Sequence, residues 1–187
     1  MHAIRVFVAH FVSYWLVGLM CDVGVDFPRI AKNVLRTQFF AILPALVAYQ
    51  YLIPKEGLLY PIPDGLWPLK IYLFHKIQDY AFYAIHRFLL HSRPGYAWVH
   101  KYHHEMTNPI AIGALYGHWL EMIVSMVPVV LGPLFFGASN WTWELWTILT
   151  TFEALVVHDA NISDFHPGHH KDPKQNFALG LWDGLAH

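Results

Sequence analysis

The chain has one cysteine, Cys21, in 187 residues. A lone thiol excludes an internal disulfide and any cysteine-cage zinc site. Charge is scarce as well. Asp, Glu, Lys and Arg together make up 13% of the sequence, against about 25% in an average soluble domain. The net charge of −1 provides no basic field for nucleic acid. Several catalytic signatures are missing. There is no GxSxG and no P-loop, and His104-Glu105 is followed by Asn108 where a zincin needs its second histidine. Nucleophile-type hydrolysis therefore has no support. No internal repeat or low-complexity tract is present.

Apolar residues and histidines are abundant. Hydrophobic residues reach 56%, the mean hydropathy is +0.33, and 14 histidines outnumber the 12 lysines and arginines. Spanning the hydrocarbon core takes about 20 mostly apolar residues. Five stretches approach this: 4–21, 39–53, 66–91, 110–137 and 141–158. The first reads as a retained membrane helix, because no small-residue cleavage site follows it. The third is interrupted by Lys70, His75, Lys76 and Asp79. Only Ala138, Ser139 and Asn140 separate the last two, which predicts a helical hairpin with Asn140 as the cap. The expected fold is all-α: an integral membrane helical bundle of four to five membrane-entering helices. Residues 1–65 form its N-terminal part, and 66–187 carry most of the histidines.

Basic residues in short loops set orientation. Arg29, Lys32 and Arg36 lie between the first two segments, Arg87, Arg93 and Lys101 after the third, and Lys171 and Lys174 after the fifth. One topology fits: the 22–38 loop, the 86–109 stretch and the C-terminus face the cytosol, and the 54–65 loop faces the other side. His86, His91, His100, His103, His104, His158, His166, His169 and His170 then fall on one membrane face.

In "HKYHH", His100, His103 and His104 stand at i, i+3 and i+4, which share a helix face. Three such imidazoles bind one metal or bridge two, and imidazole suits iron, zinc, copper and nickel. "HPGHH" repeats the spacing with His166, His169 and His170, if a helix starts with Pro167 in its first position. His86 and His91, five apart, lie about 140° apart on a regular helix. They share a site only if the helix ends between them. His118, three residues before Glu121, sits in an apolar stretch, and an ionisable residue at membrane depth is a functional candidate. His2, His10 and His187 match no cluster, and His75 reads as interfacial or packed.

Three clusters in the order HX4H, HX2HH, HX2HH resemble the fatty acid hydroxylase and sterol desaturase superfamily. These are membrane-bound, non-haem di-iron oxygenases. The resemblance runs from about Asp79 to Asp183. It extends to "DYAFYAIHRFLLH", "HKYHHE", "ALYGHWLE", "EALVVHDA" and "HPGHH" followed by "QNF" and "LWD". Glu105 and Glu121 make the pattern most similar to the 4-methylsterol oxidases.

The resemblance implies two irons (zinc can occupy such sites on purification) held by His86, His91, His100, His103, His104, His118, His158, His166, His169 and His170. Asp79, Glu121, Asp159, Asn176 and Asp183 are the implied supporting residues. It further implies hydroxylation or desaturation of a sterol or fatty acyl lipid with O2. Electrons would come from NAD(P)H through a cytochrome b5-type donor, and the protein would reside in the endoplasmic reticulum. Three departures from the pattern stand out: a short link from His158 to His166, Phe165 where a histidine is common, and an early stop at "LWDGLAH". They leave open a shortened or inactive family member. The residues alone also leave open a histidine-rich membrane protein that binds or moves a metal.

Overall fold

A computed structural model describes residues 2–21, 24, 26–52 and 56–178. Asp183 and His187 lie outside the described residues. Among the described residues there are helices and turns and no strand. The helices are α1 (His2–Met20), α2 (Phe27–Thr37), α3 (Leu43–Leu52), α4 (Trp67–Ala84), α5 (Arg93–Trp98), α6 (Trp119–Phe136), α7 (Asn140–His158) and α8 (Phe165–Lys171).

Two elements begin elsewhere than the sequence suggests. The helix expected from residue 39 begins at Phe27, with Pro28 in its first turn. Ile30, Val34 and Thr37 face inward while Arg29, Lys32 and Arg36 face out, so the basic residues sit on an amphipathic helix and not in a loop. A π-turn at Gln38–Ile42 joins α2 to α3. It lies beside Pro44, which has no N–H to continue the ladder. The fourth stretch, expected from 110, is helical only from Trp119. Residues 111–113 form a 3-10 turn first. α7 is capped by Ser139, one residue before the expected Asn140: its side chain accepts from Thr142 N.

Among the described residues, three helices are long and apolar enough to cross a membrane: His2–Met20, Phe27–Tyr51 and Trp119–Phe136. Ile4, Val8, Val12, Leu16 and Leu19 form an exposed stripe along one side of α1, the face lipid would cover. α4 and α7 are of similar length but less apolar, with Lys70, Lys76 and Asp79 on α4 and Glu144, Glu153 and several threonines on α7. α7 packs along α1, and α4 packs along α6. At Gly132 the α4–α6 contact is so close that a Cβ would lie 2.7 Å from Phe74 Cα. Small residues allow this kind of approach between membrane helices.

The helices alternate in direction, which fixes the two ends of the bundle. At one end the Tyr14 hydroxyl donates to Ile112 O (2.8 Å) and accepts from Leu115 N (3.2 Å). Asn33 bonds both N and O of Gly117 there. At the other end Ala3 N donates to Gln50 Oε1, and residues 58–62 bond the carbonyls of residues 134–136. One apolar cluster, including Phe7, Leu46, Phe74, Trp143 and Trp146, fills this second end. Another, including Tyr14, Val34, Ile112, Tyr116 and Leu155, lies under the histidine-bearing end.

Candidate metal centre

The C-terminal ends of α4 and α7 and the N-terminal end of α6 converge at the histidine-bearing end. Past Ala84, α4 widens into a π-turn over Ile85–Leu90. His91 N donates to His86 O (2.9 Å), an i to i+5 bond. The wider turn stacks residues five apart, which a regular helix does not. His86 and His91 therefore face the same site, with ring centroids 5.0 Å apart. The helix does not end between them.

His100 to Glu105 form a 3-10 helix. Its histidines do not all face one way. His100 and His104 turn to one group and His103 to the other. The third cluster splits likewise on α8. The helix starts at Phe165 with Asp164 as its cap, so Pro167 occupies the third helical position and not the first. One N-terminal turn still lacks N–H partners there, and proline is tolerated.

The outcome is two groups of ring nitrogens. His86, His91, His100, His104 and His169 form one; His103, His158, His166 and His170 form the other. Within each, one nitrogen per residue lies within 4.8 Å of all the rest. His158 and His166 are separated by a short link, yet their rings approach to 4.2 Å. The link folds on Asp159, whose carbonyl accepts from Ile162 N and Ser163 N and whose Oδ1 accepts from Asn161 N.

Hydrogen bonds behind the rings fix their tautomers. His103 Nδ1 donates to Tyr116 O (2.7 Å) and His158 Nδ1 to Ala154 O (3.0 Å). A carbonyl only accepts, so both protons are on Nδ1 and both Nε2 atoms carry lone pairs. Those two Nε2 atoms face each other at 3.1 Å. Two lone pairs at that separation repel unless a cation lies between them. His86 and His169 are fixed in the same way by Phe177 O (2.7 Å) and Gln175 O (2.6 Å). His100 Nδ1 meets Glu121 Oε1 at 2.9 Å. His86 Nε2 lies 3.0 Å and His104 Nε2 3.1 Å from His100 Nε2. Metal–imidazole bonds of about 2.0–2.1 Å place neighbouring nitrogens about 2.9 Å apart at right angles and about 3.3 Å apart in a tetrahedron. The observed spacings match. Both ring nitrogens of His166 and of His170 are buried with no protein partner. All-nitrogen donor sets of this kind fit a pair of first-row transition metals.

Burial keeps the rings neutral, as ligands must be. It pushes His103 down to about 4 and His104 down to about 2. His166 and His170 are also held well below the ordinary histidine value by burial first and by neighbouring imidazoles second. Tyr96 and Phe177 cover the five-histidine group from outside, with Phe177 ring contacts of 5.1 Å to His91 and 5.2 Å to His169.

A cavity of about 170 Å³ leads from the histidines into the bundle. His86, His100, His103, His158 and His166 form its metal-side wall. Ile42, Leu46, Met126, Val129 and Trp143 line its deep part.

The family pattern described as "Fatty acid hydroxylase" matches residues 71–187, well over half of the chain. The chain belongs to the fatty acid hydroxylase family. "Methylsterol monooxygenase 1-1" of Arabidopsis thaliana is 35% identical over 138 residues, covering 71% of this chain and 45% of that protein. "Very-long-chain aldehyde decarbonylase GL1-10" of Oryza sativa subsp. japonica is 32% identical over 136 residues, with the same shares of 71% and 45%. "Fatty acid hydroxylase domain-containing protein 2" of Homo sapiens is 37% identical over 190 residues, covering 94% of this chain and 57% of that protein. The chain spans about half the length of these curated relatives. No solved structure matches it.

Of the ten histidines that the resemblance to this fatty acid hydroxylase family implies as ligands, nine enter the two groups. His118 does not. Its Nδ1 accepts from Leu120 N (3.2 Å) and caps α6. Glu121 backs His100, and Asn176 Nδ2 donates to Phe165 O (3.0 Å), tying the tail to the first turn of α8. Asp159 shapes the turn after α7. Asp79 is buried on α4, two turns before His86. The carbonyls of Ala154, Tyr116, Gln175 and Phe177, which fix four rings, carry no side-chain signal and were not legible in the sequence.

Proposed function

We propose that this chain is a membrane-bound lipid oxygenase whose nine grouped histidines hold two irons. The observation that carries this reading is the apolar cavity that ends on both histidine groups. The chemistry supplied by two bound, reduced irons is dioxygen activation and removal of hydrogen from an unactivated C–H bond. Hydroxylation consumes O2, two electrons and two protons and yields the alcohol and water. Desaturation uses the same inputs and yields an alkene and two waters.

The chain's own residues bind and orient. The five-nitrogen and four-nitrogen groups would each hold one metal at the histidine-lined end of the cavity. Glu121 and the backbone carbonyls keep the rings turned inward. The walls formed by Met126, Val129 and Trp143 exclude water from an alkyl or sterol skeleton. The electrons come from NAD(P)H through a cytochrome b5-type donor. The basic α2 and the histidine-bearing end face the cytosol, with the protein in the endoplasmic reticulum membrane. A lipid substrate enters from the bilayer. The methylsterol and fatty acid hydroxylase names of the relatives support a sterol or fatty acyl lipid.

The test is purification of the full chain, a count of metals, and an assay for O2-dependent oxidation of a 4-methylsterol and of long-chain lipids. Oxidised lipid with two irons per chain is expected. Tightly bound metal with no oxidised product from any of them would overturn the reading.

A further inference from the structure

Polar groups that no metal uses lie deeper in the same cavity. Trp15 Nε1, a donor only, gives its hydrogen to Gln38 Oε1 (2.9 Å). This orients the Gln38 amide, so Gln38 Nε2 donates to His10 Nε2 (3.3 Å). His10 therefore carries its proton on Nδ1 and donates to Thr151 Oγ1 (3.0 Å). The Thr151 hydroxyl keeps its own hydrogen to donate. His10 and Thr151 both line the cavity.

Gln78 lines it from α4. Its Nε2 donates to Glu153 Oε2 (3.0 Å), whose other oxygen holds His75 Nε2 (2.8 Å). A carboxylate only accepts, so the Gln78 amide cannot turn round. Gln78 is 3% exposed, and its Oε1 is buried with no hydrogen-bond partner. Thr151 on one wall of the cavity thus has a hydroxyl with a hydrogen to give, and Gln78 on another has an amide oxygen with nothing to accept, which a shift of the Gln78 side chain would open to a ligand. An alcohol both donates and accepts.

We propose that Gln78 and Thr151 form a hydroxyl-binding site, so the lipid carries an alcohol group remote from the carbon that is oxidised. Gln78 lies eight residues before His86, and Thr151 seven before His158. At 1.5 Å per residue, both are about 10–12 Å along their helices from the histidine level. In a 4-methylsterol the hydroxyl on carbon 3 adjoins the carbon bearing the methyl group. A site this deep mismatches oxidation at that methyl. It suits a sterol or long-chain alcohol attacked toward its other end.

This inference rests on the lipid-oxygenase reading, and its test reads binding separately from turnover. Equilibrium binding of cholestanol and of cholestane, the same skeleton without the hydroxyl, is measured on the metal-loaded full chain in nanodiscs. Wild type should bind cholestanol about tenfold tighter, the worth of one well-placed hydrogen-bonding group. Gln78→Leu should bring the ratio to about one while cholestane affinity holds. Thr151→Val, close to isosteric, should lower the ratio as well, and it carries the test if Gln78→Leu loses metal. Equal binding of both lipids by wild type, no binding of either, or an unchanged ratio in the variants overturns the proposal. O2-dependent oxidation of any lipid with a ratio of one would overturn the hydroxyl site and leave the oxygenase reading standing. A tenfold ratio without oxidation would do the reverse.

Discussion

Replacing His158 with alanine should remove one metal and not two. His158 belongs to the four-nitrogen group, and its Nε2 faces His103 Nε2 at 3.1 Å. Three nitrogens remain after substitution, one short of a four-coordinate set. Loss of an outer hydrogen-bond partner alone weakens metal binding by about 10- to 100-fold. Loss of a direct ligand should exceed the upper figure, which corresponds to about 2.8 kcal/mol. The five-nitrogen group keeps all its donors, so its metal stays. His91→Ala works on the other side: four nitrogens remain there, and two metals per chain are expected with the first one held less tightly. His118→Ala should also keep two, because His118 caps α6. The assay is metal per chain by mass spectrometry after dialysis against chelators of graded strength. If His158→Ala kept both metals, or lost both at the same chelator strength, the division into five and four would be wrong.

The metal-free protein should lose stability on acidification. His103 is neutral in the folded state down to about pH 4, whereas an unfolded histidine protonates near 6.5. The contribution is complete above about pH 6.5 and falls away as pH drops toward 4, by roughly 3 kcal/mol for this residue. Denaturant melts across that range check it, and a rise in stability on acidification would contradict it. Gly132→Ala should destabilise by about 1–3 kcal/mol through overpacking, since the new Cβ meets the Phe74 backbone; a thermal melt without any loss would show that α4 and α6 have room. Tyr14→Phe should cost about 1–3 kcal/mol, because Leu115 N and Ile112 O lose their buried partner. Hydrogen exchange should then rise in residues 111–115, and unchanged exchange would deny Tyr14 that role.

The helical bundle and the three histidine clusters were legible because composition and spacing are local properties. The convergence of His158 with the clusters was legible from topology. What escaped depended on backbone detail. The π-turn that aligns His86 with His91 leaves no pattern at a spacing of five. The 3-10 geometry that sends His103 away from His100 and His104 looks, in sequence, like one helical face. His118 matched a family element, yet local capping holds its ring. His10 matched no cluster because its partners, Gln38 and Thr151, are 28 and 141 residues away. Gln78 gave no signal, since an amide one turn after Phe74 and beside Asp79 reads as an ordinary polar helix position.

The most direct measurement is a single turnover. Metal-free protein is loaded with graded amounts of iron, reduced chemically, and exposed to O2 with a lipid substrate in nanodiscs. The account predicts oxidised lipid that appears as occupancy passes one iron and is maximal at two per chain. Full yield at one iron per chain, or no product at two, would contradict it.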